Sequence, residues 1–248
     1  MVTLGFALVL GLSAAAISAS ARFNAALTRN SAALLAGREL LRSAEAVIAI
    51  DLRRSAGMQA IPRNGAPVAI DLPGGRVIAR IIDERAKFDA NQREPRALHT
   101  FLAQEGARLG VTTLPSLNLI ERERLRQPFV SLPDLALRLG LPPELHTAVA
   151  RTLTVYNPDK AVNLAHADEA VLALIPGMTP GLLAEIRRAR RLGSPMPAAS
   201  AIADYTTNEE GPFFTLELEA HPERGATARL STVVTAAGEE MRIVEAVR

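Results

Sequence analysis

The beginning of the chain carries a long helical pattern of apolar and polar positions. From Val2 to Ala21 there is no charged side chain, and the most apolar part runs from Leu4 to Leu12. After Arg22 the apolar positions recur at a spacing that places them on one side of an α-helix. These positions are Phe23, Leu27, Leu34, Leu41, Ile48 and Leu52. Because no proline interrupts Met1 to Ile61, the pattern predicts one helix of about fifty residues, roughly 75 Å long at 1.5 Å per residue.

The uncharged segment is long enough to be a membrane helix, because about twenty residues cross the hydrocarbon core of a bilayer. Its many alanines and serines make it less apolar than most such helices. Two interpretations are open. The segment continues into the amphipathic stripe as one helix, or it is a secretory signal peptide that ends at Ala19-Ser20-Ala21, before Arg22. The absence of a helix breaker between the two parts favours the continuous helix.

After Gly57 and Pro62 the pattern changes to an alternation of apolar and polar residues, which is typical of half-buried strands. The alternation runs from Val68 to Leu72, a turn follows at Pro73-Gly74-Gly75, and the segment from Arg76 to Asp83 completes a predicted β-hairpin.

The C-terminal part repeats this alternation. Apolar residues occupy every second position at Phe214, Leu216, Leu218 and Ala220, and further strands are predicted at 226–235 and 241–247. Antiparallel strands with one apolar face need a cover, and the stripe on the first helix is the expected one.

Between the two β regions the chain predicts short helices that begin at proline, serine or alanine, some ending near glycine. The predicted segments are Pro95–Leu109, Ser116–Arg126, Pro133–Leu139, Pro143–Leu153, Ala167–Ile175 and Pro180–Leu192. The expected fold class is therefore α+β, a long N-terminal helix packed on an antiparallel sheet, with a large all-α domain inserted. The predicted division is 1–21 for the membrane helix, 22–91 and 211–248 for the two parts of the helix-and-sheet domain, and 92–210 for the insert.

Composition narrows the classes of function. Of the 248 residues, 48% are hydrophobic, which is enough to form buried hydrophobic cores. The chain has 28 Lys and Arg against 26 Asp and Glu, so its net charge is only +2. A general binder of polyanions would be more basic. The chain has no cysteine, which excludes disulfides, thiolate metal sites and a cysteine nucleophile. Two Tyr, seven Phe and no Trp provide few stacking platforms for single-stranded nucleic acid.

Catalytic motifs are absent from the sequence. His99, His146, His166 and His221 are isolated, and there is no HExxH, G-x-S-x-G, phosphate loop or G-x-G-x-x-G. His166 lies beside Asp168 and Glu169, but a capping position before the next helix is the favoured interpretation. We therefore do not expect an enzyme.

The segment from Val162 to Ala167, followed by Pro176-Gly177, is typical of a helical hairpin that binds DNA. Such hairpins bring backbone amides at a helix N-terminus close to a phosphate. The turn in such hairpins has the pattern Gly-hydrophobic-Gly. Here the turn is Gly177-Met178-Thr179-Pro180, so threonine stands in place of the second glycine and the proline removes one amide. Basic residues that could contact a phosphate backbone follow at Arg187, Arg188, Arg190 and Arg191. They also complement the dipole at a helix end, which is the favoured interpretation.

The order of these pieces resembles general secretion pathway protein K, the large minor pseudopilin of type II secretion systems. Several local motifs carry the resemblance. Gly5-Phe6-Ala7-Leu8-Val9-Leu10 is similar to a prepilin-peptidase junction, and Ile82-Asp83-Glu84-Arg85-Ala86-Lys87-Phe88-Asp89-Ala90-Asn91 to the family's strand-ending element. Other matches are Ser131-Leu132-Pro133-Asp134-Leu135, Leu153-Thr154-Val155-Tyr156 leading to Val162-Asn163-Leu164, and Phe213-Phe214.

The resemblance implies a pilin-like fold and a structural, non-enzymatic function. Prepilin peptidase would cut between Gly5 and Phe6, and Phe6, Leu8, Leu10 and Leu12 would open a helix in the bacterial inner membrane, with the globular part in the periplasm. Most pilin-like proteins carry Glu at the fifth mature position, where a carboxylate neutralises a neighbour's α-amine. That position here is Leu10, which fits a place at the fibre tip.

The implied partners are the other minor pseudopilins, types I and J, and the major pseudopilin. Calcium is the one cofactor that the resemblance implies, and Asn208, Glu209 and Glu210 are the candidate oxygen ligands, although a solvated loop is the simpler interpretation. No nucleic-acid partner is favoured. The alternative function is a membrane-anchored DNA-binding protein of the competence type, which would use the hairpin at 162–192. The other alternative is a secreted helical-hairpin protein released at Ala21.

Overall fold

The computed structural model of the chain describes residues 2–54, 58–157, 159–236 and 241–247, with side chains described between residues 18 and 245. The helices are α1 (Val2–Leu52), α2 (Pro95–Leu109), α3 (Leu117–Arg126), α4 (Leu132–Leu139), α5 (Pro143–Thr152), α6 (Glu169–Leu172) and α7 (Pro180–Leu192). The strands are β1 (Val68–Leu72), β2 (Gly75–Asp83), β3 (Phe88–Asp89), β4 (Leu153–Thr154), β5 (Val162–Asn163), β6 (Thr206–Thr207), β7 (Phe213–Pro222), β8 (Ala228–Thr235) and β9 (Arg242–Val247).

The predicted fold class is confirmed: α1 lies on a five-stranded antiparallel sheet of order β1-β2-β7-β8-β9. The two predicted β regions meet at its centre, where β2 pairs with β7 over its full length and Ile81 lies opposite Leu216. The predicted strands agree with β1, β2, β7, β8 and β9 to within two residues at either end. Ala237-Gly238, which separates the predicted strands 226–235 and 241–247, lies outside the described residues.

One core fills the space between α1 and the sheet. Leu41, Ala44 and Ile48 of α1 are buried against alternate residues of the strands, such as Val77 and Leu218. Because paired residues of neighbouring strands point to the same face, each strand contributes every second side chain to this core.

The apolar stripe of α1 covers the sheet only in its second half. Leu41, Ile48 and Leu52 are buried as predicted, but Phe23, Leu27 and Leu34 are 66%, 51% and 54% exposed. The prediction that this stripe covers the sheet is therefore confirmed for 41–52 and wrong for 23–34. Its physical reason is length, because the strands are at most ten residues long whereas α1 has 51 residues.

Glycines allow α1 to approach the sheet closely where the contact begins. A Cβ atom on Gly37 would lie 2.8 Å from the Cβ of Ala228, and one on Gly75 would lie 2.8 Å from Cδ1 of Leu40 in α1. Gly75 also has φ of 156°, a conformation that other residues avoid.

A second core lies between the helices of the central part of the chain and includes Leu98, Phe101, Leu135, Leu145 and Ile186. The predicted bounds of α2 and α7 are confirmed, and α3, α4 and α5 differ from their predictions by one residue at an end. Only α6 is much shorter than predicted, since it spans four residues instead of 167–175. Ala86, Phe88 and Ala90 also belong to this core, although the predicted division assigns them to the other domain. The domain boundaries themselves stay predictions.

Two small parallel pairings are absent from the sequence-based prediction. Strand β3 pairs with β4, and β5 pairs with β6. Each strand has two residues, which is too short to show an alternation. Val162-Asn163, interpreted as part of a helical hairpin, therefore forms β5, and that interpretation is corrected.

We expect Gly37→Ala to destabilise the fold by about 1–3 kcal/mol, because its methyl group must displace Ala228 or the backbone of β8. The free energy of unfolding from urea titration measures the effect. Gly181→Ala is the matched control: Gly181 lies in α7, and a Cβ there meets only the Thr179 hydroxyl at 3.9 Å. It should leave the stability unchanged or raise it by about 0.5 kcal/mol. Equal effects at both positions would contradict the close approach.

Candidate functional site

The uncovered half of the α1 stripe is the first candidate site. Phe23, Leu27 and Leu34 lie on the same side of the helix as the buried Leu41 and Ile48, so the exposed apolar line is a direct continuation of the core contact. A contiguous exposed apolar surface is typical of an interaction site. The geometry therefore presents a helix that can pack against another helix beyond the edge of its own sheet.

The predicted processing and membrane residues precede this stripe. The backbone of Gly5, Phe6, Leu8, Leu10 and Leu12 is part of α1, but their side chains lie outside the described ones. Within the part of the chain that the structure describes, no helix combines the length and apolarity needed to cross a membrane. Cleavage at Gly5 and the membrane helix stay predictions.

The second candidate site is a buried polar junction that joins the sheet to the helical core. Its first member, Asp83, ends β2 and is fully buried. One carboxylate oxygen accepts hydrogen bonds from the backbone of Arg85 at 2.9 Å and of Gly211 at 3.0 Å, and the other from the side chain of Asn163 at 2.8 Å. Burial raises the pKa of Asp83, and these hydrogen bonds oppose the rise.

Glu84, the next residue, connects three parts of the chain. Its carboxylate accepts hydrogen bonds from Lys87 Nζ at 2.7 Å, from the hydroxyl of Thr215 in β7 at 2.6 Å, and from the hydroxyl of Thr154 in β4. The exposed fractions of the Lys87 and Glu84 side chains are 6% and 2%. A buried ion pair of this kind is tolerated only where the remaining lone pairs are also satisfied, and here the two threonines satisfy them.

Asp89 extends the junction into the helical core. Its carboxylate accepts hydrogen bonds from the backbone amides of Asn91 at 2.7 Å, Gln92 at 2.9 Å and Asn157 at 3.0 Å. Burial raises the pKa of Asp89 to about 6, although these bonds and the nearby Arg124 oppose the rise.

Arg63 ties the end of α1 to the same junction. Its guanidinium donates to the carbonyl oxygen of Asp51 at 3.0 Å, lies 3.8 Å from the carboxylate of Glu210 and stacks over Phe214. Burial lowers the pKa of Arg63, and the neighbouring carboxylates of Glu210, Asp51 and Asp83 oppose that change. Sequence reasoning missed Arg63, because a single arginine after a proline has no distinguishing pattern.

Most residues of this buried junction belong to one sequence motif, the segment 82–91 that begins at the end of strand β2. Asp83, Glu84, Lys87 and Asp89 all belong to the segment 82–91, one of the motifs that carry the sequence resemblance. A run of charged residues that directly follows a strongly apolar strand is the signal that could have found their burial. The structure gives this segment its role, since it holds the helical core against the end of the sheet.

The candidate calcium ligands do not form a cluster. Glu210 directs its carboxylate to Arg63, to the Gln59 amide at 3.1 Å and to His166, whereas Asn208 and Glu209 are exposed. Among the described residues there is no group of three His, Asp or Glu side chains that could hold a metal.

His166 is not the helix cap that the sequence predicted. Asp168 is the N-cap of α6 and accepts a hydrogen bond from the amide of Ala170. His166 instead places Nε2 3.5 Å from Glu210. The prediction was wrong because the short loop 164–167 carries the chain past β5 before α6 begins.

The four arginines that the DNA-binding alternative would use have different surroundings in the structure. Arg187 forms an ion pair with Glu169, and Arg190 donates to the carbonyl oxygens of Leu164 and Ala167. Burial lowers the pKa of Arg190. Only Arg188 and Arg191 project into solvent without a hydrogen bond or ion pair within the described part of the chain. Two of the four arginines are therefore engaged within the protein, and the DNA-binding alternative gains no support.

A long helix packed on an antiparallel sheet, with a helical unit inserted along the chain between strands β2 and β7, defines a pilin-like α+β fold. No protein-family model matches the sequence, and no curated protein matches it either. Among solved structures, a chain of the GspK-GspI-GspJ complex from the enterotoxigenic Escherichia coli type 2 secretion system is similar, with a TM-score of 0.58 and 12% identity. The similarity covers 89% of this chain and 99% of that chain. At this identity the likeness shows the fold, and the expected pilin-like fold is thereby confirmed.

We expect Lys87→Met to destabilise the protein by about 3 kcal/mol, because it leaves the buried carboxylate of Glu84 without its cation. Arg108→Met is the matched control, since Arg108 and Glu105 have the same spacing and the same 2.7 Å distance but Arg108 is 63% exposed. That change should shift the free energy of unfolding by less than about 1 kcal/mol. Two equal losses in urea titration would contradict the importance of burial.

Stability should depend on pH through Asp89. Its pKa is about 6 in the folded protein and near the ordinary 3.8 when unfolded, so the folded state binds the extra proton between these values. The contribution of Asp89 to the free energy of unfolding is therefore fully present below about pH 4 and falls by about 3 kcal/mol as the pH rises past 6. Urea midpoints measured from pH 4 to 7 should show this fall in the wild type and lose that component in Asp89→Asn. An unchanged slope in Asp89→Asn would refute the assignment.

Proposed function

We propose that this chain is a minor pseudopilin of a type II secretion system, a non-enzymatic subunit of the pseudopilus. It assembles at the tip with the type I and type J minor pseudopilins and above the major pseudopilin. In that position it initiates and caps the fibre that exports folded proteins across the outer membrane. The supporting observations are the pilin-like fold, which is shared with a chain of the GspK-GspI-GspJ complex, and the order of motifs along the sequence.

The observation that carries the proposal is the uncovered half of the α1 stripe. A fibre built from pilin-like subunits needs helices that present an apolar side to their neighbours. Phe23, Leu27 and Leu34 provide such a side in the segment where α1 has left its own sheet. Burying three such side chains contributes about 1.5–3 kcal/mol each, which is a substantial part of a subunit contact.

The position at the tip follows from two further features. Leu10 stands where a shaft subunit would carry the carboxylate that pairs with a neighbouring α-amine. The helical unit between β2 and β7 adds bulk beside the sheet, which would obstruct continued stacking of subunits above it. In this proposal prepilin peptidase cleaves after Gly5, and the helix that begins at Phe6 anchors the subunit in the inner membrane with the globular part in the periplasm.

The intact mass of the protein from membranes tests the processing step. We expect a mature N-terminus at Phe6, with or without N-methylation, and accumulation of the uncleaved form in Gly5→Val, because the larger side chain blocks the peptidase. Ala21→Val should leave processing unchanged. A mature N-terminus at Arg22 would contradict the proposal and favour a secreted protein.

The absence of cysteine allows site-specific cross-linking of the stripe. Phe23→Cys or Leu27→Cys should form a disulfide with a cysteine in α1 of the type I or type J minor pseudopilin when they are coexpressed. Ala32→Cys is the control, because Ala32 is exposed but lies about half a turn away from Phe23 around the helix. Cross-linking from Ala32 as efficient as that from Phe23 would show that the stripe is not the contact face.

A further inference from the structure

The loop between β6 and β7 carries the candidate calcium ligands, and its oxygen atoms face a cation that belongs to the chain itself. The carboxylate of Glu210 is directed to Arg63 and Gln59. Its backbone carbonyl oxygen instead accepts a hydrogen bond from Nη1 of Arg85 at 3.2 Å. The carboxylate of Glu209 lies 3.9 Å from the same nitrogen. Arg85 is therefore the positive charge beside this loop.

The loop between β4 and β5 presents a third oxygen to Arg85. Oδ2 of Asp159 accepts a hydrogen bond from Nη2 of Arg85 at 3.0 Å, and Oδ1 accepts one from the amide of Ala161 at 2.8 Å. The side chain of Asn157 closes the same loop by donating to the carbonyl oxygen of Ala161 at 2.9 Å. One oxygen of Asp159 thus fixes the shape of its own loop, and the other joins that loop to Arg85.

Arg85 is anchored between the two loops by its backbone. It lies in the turn after β2, and its amide donates to Asp83, which also accepts a hydrogen bond from the amide of Gly211 in the loop before β7. A Cβ atom on Gly211 would lie only 3.1 Å from the Cβ of Arg85. The side chain of Arg85 is 13% exposed, against 48% for Asp159 and 87% for Glu209. The guanidinium therefore reaches both loops from the inside of the protein.

Two carboxylates and a backbone carbonyl are the kind of oxygen ligands that calcium takes. A calcium ion collects about six to eight such oxygens around one point, whereas the three oxygens here already have Arg85 as their cation. A guanidinium has a permanent positive charge and several N–H groups in one plane, so it can bind oxygens from two loops at once. Unlike a bound ion, it neither dissociates nor is removed by a chelator.

We propose that Arg85 takes the place of a divalent cation in this protein. Its guanidinium joins the loop between β4 and β5 to the loop between β6 and β7, and both loops keep their positions without calcium. The inference disagrees with the cofactor that the sequence resemblance implies. It does not depend on the pseudopilin assignment, because it rests on contacts within the chain.

Thermal unfolding of the full chain tests the independence from calcium, with calcium chloride, magnesium chloride and EDTA compared at millimolar concentration. We expect the three midpoints to agree within about 1 °C, because an ion that does not bind the folded state leaves its stability unchanged. A calcium site filled at about 100 times its Kd would raise the midpoint by several degrees. A rise of that size in calcium alone would overturn the proposal.

Amide hydrogen exchange of variants tests the link between the loops. Arg85→Met keeps most of the length of the side chain but removes its charge, and we expect about tenfold faster exchange at Ala161 and Gly211 in calcium and EDTA alike. Arg85→Lys retains the charge and should lose less protection. Arg187→Met is the matched control, because Arg187 also pairs with a carboxylate but is 50% exposed and contacts neither loop. It should change neither amide.

Asp159→Asn removes the same ion pair from its exposed side, so the test does not rely on Arg85→Met being folded. Exchange at Gly211 should also become faster in this variant, although Gly211 lies in the other loop. Thermal unfolding verifies that each variant is folded. Unchanged exchange at Gly211 in Asp159→Asn and in folded Arg85→Met would overturn the proposal, and so would slower exchange of the wild-type loops when calcium is added.

Discussion

The structure depends on the need to satisfy two adjacent carboxylates, Asp83 and Glu84, that are buried where β2 ends. An unpaired charge in such a place would be strongly destabilising, so every partner of these carboxylates must be present in the folded state. Those partners come from β4, β5, β7 and the segment before β7. The sheet and the helical core are therefore joined by hydrogen bonds of fixed direction. Apolar packing alone would allow the two cores to slide, whereas this set of bonds defines one arrangement.

The two halves of α1 illustrate how one helix serves two purposes. Its second half belongs to the core of its own domain and approaches the strands closely at Gly37. Its first half presents the same apolar line to the surroundings. Because α1 is one continuous helix, fixing its second half against the sheet also fixes the orientation of its first half. The contact with the sheet therefore determines the direction in which Phe23 and Leu27 point.

Much of the fold was predictable because its elements have local patterns. The hairpin β1-β2 follows from an alternation and a Pro-Gly-Gly turn, and α2 and α7 follow from proline at their first position and glycine after their last. The junction was not predictable, since Glu84 meets Thr154 and Thr215 at separations of 70 and 131 residues. Periodicity likewise identified the correct side of α1 but not how far along it the sheet extends. The candidate calcium and DNA residues were chosen by type, and their partners, such as Arg63 for Glu210 and Glu169 for Arg187, could be recognised only in three dimensions.

The position of the helical unit between β2 and β7 also has a consequence for folding. These central strands are the most extensively paired in the sheet, yet the whole helical unit separates them along the chain. Closing a loop of that length is entropically unfavourable and slow if the loop is a random coil. Once the helical unit has folded, its two ends lie side by side at Asp83 and Gly211, and the remaining search is short. Folding of the inserted helices is therefore expected to precede closure of the sheet, and variants that weaken the helical core should slow the formation of strand pairs that they never contact.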